Sequence, residues 1–220
     1  MISKNQIKYL SSLCIKKNSR KHKKVLLEGY RLIEESIKAG ADIEYIYITE
    51  NLKSKISNQI LESIDYDIIS EIDLKKISDT KNSQGILAIA NIEKYYLHTM
   101  EQLNNSNVII LDGIQDPGNL GTIFRTCVWF GIKSIILTSN SIDPFNLKCV
   151  RSGMGAHFYL DSIISENENT IVDYLNNKNY TMIAADLHGE NVETIDTTNK
   201  WALVLGSEAH GLSGLKNYKK

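Results

Sequence analysis

Hydrophobic and polar positions alternate in blocks along the chain, and the clearest block lies in mid-chain. Residues 108–111 (VIIL) form an apolar run that predicts a buried strand. Asp116 and Pro117 follow, and this pair is typical of a helix start, with the aspartate as N-cap and the proline at the first helical position. Apolar residues then recur at helical spacing, so one stripe of the helix should face a core. The predicted stripe consists of Leu120, Ile123, Phe124, Cys127 and Val128, and the opposite side carries Gly118, Thr122, Arg125 and Trp129.

A second block of the same kind lies near the carboxyl terminus. Residues 201–205 (WALVL) predict another buried strand, and a loop with a glycine near each end follows it. That loop carries Glu208 and His210, while its glycines let a ligand approach the backbone closely. An ordinary strand-end turn remains the alternative. Because ligands of open α/β sheets bind at the carboxyl ends of the strands, the two blocks together indicate one site.

Strands alternate with helices over the whole sequence, which predicts an α/β fold with two units. Residues 1–91 predict a small α/β substrate-binding domain, residues 92–106 a polar linker, and residues 107–220 a domain with a mainly parallel sheet covered on both faces. In the first unit, residues 19–24 (SRKHKK) are expected to be a basic connector. In the second, residues 157–160 (HFYL) are expected to be a short strand.

The net charge of −1 excludes a global basic field, but the charge is uneven, because no acidic residue precedes Glu28. The basic segment 16–24 is either a solvated linker or a contact for a phosphate backbone. Its candidate RNA-binding residues are Lys17, Arg20, Lys21, Lys23 and Lys24.

Several classes of protein are disfavoured by what the sequence lacks. Its 3 cysteines form no C-x-x-C pair, which favours a reducing compartment and a cytoplasmic protein, with an organelle transit segment as the alternative for the acid-free start. No apolar run approaches the ~20 residues of a membrane span. There is no metal pattern such as H-E-x-x-H, so no metal site is expected, and there is no G-x-S-x-G, P-loop or G-x-G-x-x-G.

Four segments carry a resemblance to a known family. Residues 112–126 (DGIQDPGNLGTIFRT) resemble the first motif of the SpoU (TrmH-type) RNA ribose methyltransferases of the SPOUT superfamily. Residues 205–212 (LGSEAHGL) resemble their second motif, and residues 150–158 (VRSGMGAHF) resemble the segment between them. Residues 1–90 are similar to the small RNA-binding domain of the family, with residues 27–29 (LEG) and 84–86 (QGI) as its marks.

The resemblance implies methyl transfer from S-adenosylmethionine to a ribose 2′-hydroxyl of rRNA or tRNA. It implies a homodimer if the C-terminal segment of the family is present. It also implies a catalytic set of Asn119, Arg125 and Glu208, and a cofactor pocket lined by Leu205, Gly206 and Gly211. Arginine is effectively always protonated, so Arg125 is not expected to act as the base. We expect it to hold the neighbouring phosphate and to stabilise the developing alkoxide.

The third family motif has no counterpart after Ser213, and Ser-Leu-Asn, which opens the final helix of the family, does not occur. The sequence therefore predicts a C-terminally truncated domain whose trefoil knot is incomplete. The resemblance thus leaves an alternative function, a catalytically impaired relative that acts only as an RNA-binding protein. A third possibility, a small-molecule α/β enzyme, has only generic support from the fold.

Overall fold

The first part of the chain folds into helices around a four-stranded sheet. The computed structural model describes residues 2–54, 56, 58–78, 80, 83–103, 106–186, 189, 191–195, 197–207 and 211–212. The elements of the first part are α1 (Lys4–Leu13), α2 (Lys16–His22), β1 (Lys24–Glu28), α3 (Tyr30–Lys38), β2 (Asp42–Ile48), α4 (Glu50–Lys53), α5 (Asn58–Ser63), β3 (Tyr66–Ile68), α6 (Glu71–Ile77) and β4 (Ile86–Asn91). The strand order is β1-β4-β2-β3, in which only β2 and β3 run parallel.

The basic segment is a helix and not the connector that the sequence predicted. Lysine and arginine are good helix formers, and α2 ends where Lys23 adopts a left-handed conformation with φ +56°. Basic residues fill its last turn, where they meet the negative end of the helix dipole. The Arg20 Nε donates to Asp143 Oδ2 at 2.8 Å, so this helix is also anchored to the second part of the chain.

The second part of the chain forms a five-stranded sheet in which every adjacent pair of described strands is parallel. This confirms the predicted mainly parallel sheet. Its elements, with the helix that precedes them, are α7 (Glu93–Leu97), β5 (Val108–Asp112), α8 (Pro117–Trp129), β6 (Ser134–Thr138), α9 (Leu147–Gly153), α10 (Ala156–Tyr159), β7 (Ser162–Glu166), α11 (Glu168–Asn177), β8 (Thr181–Ala184) and β9 (Trp201–Gly206).

The strand order β7-β6-β5-β9-β8 places the two predicted loops side by side. In the register of β5 and β9, Leu111 pairs with Leu205 and Asp112 with Gly206. The expectation that the sheet would bring both motifs to one edge is therefore confirmed for their described residues.

The short strand predicted at residues 157–160 is wrong, because residues 157–159 belong to the helix α10 and Leu160 caps its end. Gly155, with φ +87°, turns the chain into this helix, and His157 Nε2 lies 2.8 Å from the carbonyl oxygen of Pro144. The strand at this place in the fold is β7, whose first residue pairs with Ser134 of β6.

The two sheets are joined by a folded segment and share a core. The predicted linker, residues 92–106, contains α7 and a 3₁₀ turn at Met100–Gln102, and both Ile92 and Tyr95 are buried there. One contiguous hydrophobic cluster contains residues of β1 and β4 together with residues of β5 and β6. The last strand of the first sheet ends at Asn91, and the first strand of the second sheet begins at Val108. The domain boundaries predicted from the sequence stay predictions.

Candidate active site

The start of α8 is built as the sequence predicted. Asp116 is the N-cap, and its Oδ1 accepts from the backbone N–H of Asn119 at 2.8 Å. Pro117 occupies the first turn, where its missing N–H costs no hydrogen bond. The bond from the Asn119 N–H and the ion pair with Lys148, 3.3 Å away, lower the pKa of Asp116 below its ordinary value. The N-cap is therefore a carboxylate at neutral pH.

The side of α8 that was predicted to be polar is the side that faces solvent. Asn119, Thr122 and Arg125 are exposed, and they follow one another at three-residue spacing along one exposed stripe. Leu120 and Phe124 are fully buried on the opposite side, which confirms the predicted apolar stripe. Within the described residues, the Arg125 guanidinium makes no ion pair.

Gly121 allows α9 to approach α8 closely. A Cβ on Gly121 would lie 2.0 Å from the Ser152 Oγ and 2.6 Å from the backbone nitrogen of Gly153. The Ser152 hydroxyl lies 3.0 Å from the carbonyl oxygens of Pro117 and Cys149 and can donate to either. The segment between the two motifs thus fixes the first turn of α8, and with it Asn119.

A buried hydroxyl network below the loop that leads to α8 was not anticipated from the sequence. Thr138 accepts from the backbone N–H of Gly113 at 2.9 Å, and Ser141 accepts from that of Ile114 at 3.2 Å. Ser141 Oγ donates to the Leu111 carbonyl oxygen at 3.1 Å, and Asp112 is completely buried beside them. Single hydroxyl residues at the end of a strand give no sequence signal, because such residues are common in turns.

The loop after β9 folds back onto its strand. The Ser207 and Gly211 backbones exchange two hydrogen bonds, of 3.0 and 2.8 Å. A Cβ on Gly206 would lie 2.4 Å from the carbonyl carbon of Gly211, so only glycine fits at position 206. Leu205 and Gly206 are partly exposed and Gly211 is exposed, so this backbone can form one wall of a ligand pocket. Glu208, the predicted third catalytic residue, lies outside the described residues, as does the segment after Leu212 on which the predicted truncation and incomplete knot depend.

The basic residues predicted to bind RNA have different surroundings. Arg20 pairs with Asp143, and Lys24 donates to Glu44 at 2.7 Å. The Lys23 ammonium lies 4.5 Å from the centre of the Tyr96 ring. Lys17 and Lys21 are exposed and form no ion pair with any described residue, so these two are the cations of α2 that are best placed for a phosphate.

A cleft of about 560 Å³ opens beside Arg125, between α3, α8 and the α9–α10 segment. Trp129, one turn after Arg125, lines it and is 86% exposed. On the α3 side it is lined by Arg31 and by Glu35, whose carboxylate accepts from the Tyr159 hydroxyl at 2.6 Å. The helical spacing of Arg125 and Trp129 was visible in the sequence, whereas nothing in the sequence indicated Arg31.

Buried titratable groups elsewhere are unsuited to catalysis. Burial lowers the pKa of His157 to about 4 and raises that of the Cys127 thiol to about 11, so both groups are neutral at pH 7. Burial likewise raises the pKa of Cys149. In the described part of the chain, no group of three or more potential metal ligands comes together. None of the helices within those same residues has the length and apolar character of a membrane span.

Known proteins of similar sequence include two rRNA methyltransferases. Over 96% of the chain and 82% of the relative, the sequence is 29% identical to the 23S rRNA (guanosine(2553)-2′-O)-methyltransferase RlmP of Bacillus subtilis. It is 34% identical to human mitochondrial rRNA methyltransferase 3 over 70% of the chain, and there it spans only 38% of the relative.

Solved structures share the fold. A TrmH-family protein from Porphyromonas gingivalis superposes with a TM-score of 0.82 at 29% identity, covering 97% of this chain and 84% of the other. The AdoMet-bound rRNA methyltransferase from Sinorhizobium meliloti superposes with a TM-score of 0.81 at 24% identity, covering 97% and 82%.

Family models match both parts of the chain. The MRM3-like substrate binding domain matches residues 4–88. The SpoU rRNA Methylase family matches residues 106–217, which is more than half of the sequence and includes both strand-end motifs. This chain, with its first motif at the start of α8 and its second beside it at the end of β9, therefore belongs to the SpoU rRNA methylase family.

Proposed function

We propose that this chain is an RNA ribose 2′-O-methyltransferase that uses S-adenosylmethionine and acts on ribosomal RNA. The observation that carries the proposal is the pairing of Asp112 with Gly206, which sets the α8 motif and the β9 loop side by side at the carboxyl edge of the parallel sheet. The family match and the rRNA methyltransferases described above as relatives support the same reaction.

The residues present fit the cofactor as one wall of its pocket. The glycine backbone at positions 206 and 211 and the partly exposed Leu205 offer a surface without bulky side chains, which a flat adenine or a methionine chain can approach. When bound, S-adenosylmethionine supplies an activated methyl group. The protein must then position the hydroxyl and exclude water.

The exposed residues of α8 act on the RNA side. Arg125, whose guanidinium has no ion-pair partner among the described residues, holds the phosphate next to the reacting ribose and stabilises the negative charge that develops on the 2′-oxygen. Asn119 orients the same ribose. Its position is fixed because its own N–H is held by Asp116. By the family resemblance, Glu208 orients these two residues.

The first part of the chain holds the RNA. Its match to a substrate-binding domain and the two exposed lysines of α2, Lys17 and Lys21, support this assignment. The resemblance also supports a homodimer. Cys14, Cys127 and Cys149 form no disulfide bond, which is consistent with the reducing cytoplasm, where we place the protein.

The test is transfer of labelled methyl groups to unmodified 23S rRNA transcript, with wild type, Arg125→Ala and Lys178→Ala compared. Lys178→Ala is the matched control, because this substitution also removes a cation, but one that pairs with Glu101 outside the site. We expect wild type and Lys178→Ala to be equally active, and Arg125→Ala to lose ~10²–10³-fold in rate, as for removal of one oxyanion donor.

Two results would contradict the proposal. If Arg125→Ala transferred as many methyl groups to the RNA as wild type does, the role assigned to Arg125 would be wrong. A wild type that binds RNA but neither transfers methyl groups nor binds S-adenosylmethionine in a calorimeter would instead support the RNA-binding alternative.

A further inference from the structure

The cleft beside Arg125 has a charge distribution that calls for an anion. Glu34 and Glu35 point toward it, but both lie within ion-pairing distance of Lys38, at 3.6 and 3.7 Å, and Glu35 also accepts from Tyr159. Arg31 and Arg125 line the same cleft, and neither forms an ion pair within the described ranges. Glu34, Glu35 and Lys38 together carry one net negative charge, so with the two arginines the cleft keeps one net positive charge.

The same cleft also offers an aromatic surface. Trp129 follows Arg125 by four residues, so the two side chains leave the same face of α8 about 6 Å apart along the helix axis. The indole is 86% exposed, and the apolar part of the cleft continues through Val128, Met154 and Ala156. The volume of about 560 Å³ falls within the ~300–1,000 Å³ of ordinary ligand pockets.

We propose that this cleft binds the nucleotide next to the methylated ribose, with its base stacked on Trp129 and its phosphates held by Arg31 and Arg125. The inference rests on the proposed function and assigns its substrate class: RNA whose target region is unpaired. A base inside a duplex is stacked on both faces and cannot reach the indole, whereas a splayed-out base can.

A nucleotide fits this cleft better than a second copy of the chain. A protein partner that covered Trp129 would also desolvate Arg31 and Arg125, and burying a charge without a partner is costly. A nucleotide brings its own phosphates to both arginines and a flat ring to the indole. The charge and the aromatic surface therefore point to the same occupant.

The test uses the intrinsic fluorescence of the protein, since the chain has only 2 tryptophans. Trp201→Phe leaves Trp129 as the sole indole, and this variant is titrated with single-stranded oligouridylate and oligoadenylate, with the same strands annealed into a duplex, and with inorganic phosphate. We expect quenching by the single strands and little by the duplex or by phosphate.

A second experiment measures the affinity of full-chain variants for single-stranded RNA. Trp129→Ala should raise the Kd for single-stranded RNA about 5- to 160-fold, which corresponds to ~1–3 kcal/mol for one stacked base. Trp129→Phe should restore most of it. Phe130→Ala is the matched control, because Phe130 is also exposed, at 75%, but does not line the cleft. It should leave the Kd unchanged.

The inference is overturned if Trp129→Ala binds RNA as tightly as wild type does. It is also overturned if the fluorescence of Trp129 responds to protein concentration and not to RNA, which would identify the cleft as a contact between two copies. Failure of the proposed function is distinguishable, because it appears as absence of methyl transfer by wild type whatever the fluorescence shows.

Discussion

The contact between α8 and α9 leads to a quantitative prediction for Gly121→Ala. The added Cβ would lie 2.0 Å from Ser152 Oγ, 2.6 Å from the Gly153 nitrogen and 2.7 Å from the Cys149 carbonyl oxygen. The serine hydroxyl can rotate away, but the two backbone atoms cannot. The helices must therefore separate, and Asn119 and Arg125 move with α8.

The size of the effect follows from three contributions. Overpacking a close-packed contact costs ~1–3 kcal/mol, and losing the Ser152 bond to Pro117 costs ~1 kcal/mol more. Alanine offsets ~1 kcal/mol of this loss in stability, because its helix propensity is higher than that of glycine. The net loss is ~1–3 kcal/mol, which for a chain of this length lowers Tm by ~2–12 °C.

Thermal unfolding followed by circular dichroism measures this change, with methyl transfer recorded in parallel. Thr122→Ala, in the same helix but exposed, is the control and should shift stability by less than ~0.5 kcal/mol. Ser152→Ala in the Gly121→Ala background removes the closest contact, so the double variant should be less destabilised than the sum of the single ones. Since Tm shifts by ~2–4 °C per kcal/mol in a chain of this length, a Gly121→Ala protein that melts within 1 °C of wild type would refute the packing argument.

Three further outcomes follow from the structure. The pKa of His157 falls from 6.5 to about 4 on folding, so the stability that depends on its neutral form is complete above pH 6.5. The free energy of unfolding should therefore fall by ~3 kcal/mol as the pH falls toward 4. Plotted against pH, this free energy should give a flatter curve for His157→Gln but not for the exposed control His22→Gln. Replacing Lys17 and Lys21 by alanine should reduce the salt slope of single-stranded RNA binding by up to ~1.4, and an unchanged slope in a filter-binding titration would exclude both lysines from phosphate contact. Asp143→Asn should lower Tm, because it removes the buried carboxylate that pairs with α2; a Tm equal to that of wild type would show that this ion pair contributes nothing.

Local signals made the core of the site predictable. The N-cap at Asp116, the proline after it and the apolar stripe of α8 depend on residues close together in the sequence, and each is present. The pairing of Asp112 with Gly206 followed from the alternation of strands and helices, because parallel strands place their carboxyl ends at one edge.

Features that depend on distant residues were predicted wrongly or not at all. The aromatic run at residues 157–160 favours a strand by composition, but the left-handed turn at Met154 and Gly155 sets a helix there. The ion pair of Arg20 joins residues 123 positions apart, so no local pattern announces it. Arg31 and Trp129 likewise line one cleft only after α3 has packed against the α9–α10 segment, where Glu35 accepts from Tyr159.

The hydrophobic cluster that runs through both sheets also determines how the protein unfolds. Detaching the first sheet from the second would expose apolar surface of both, since the cluster contains buried residues of both sheets. Because the two halves share this cluster, we expect the chain to unfold as one cooperative unit despite its two family matches. In calorimetry the van't Hoff and measured enthalpies should then agree, and two resolved transitions would show that the halves are thermodynamically independent.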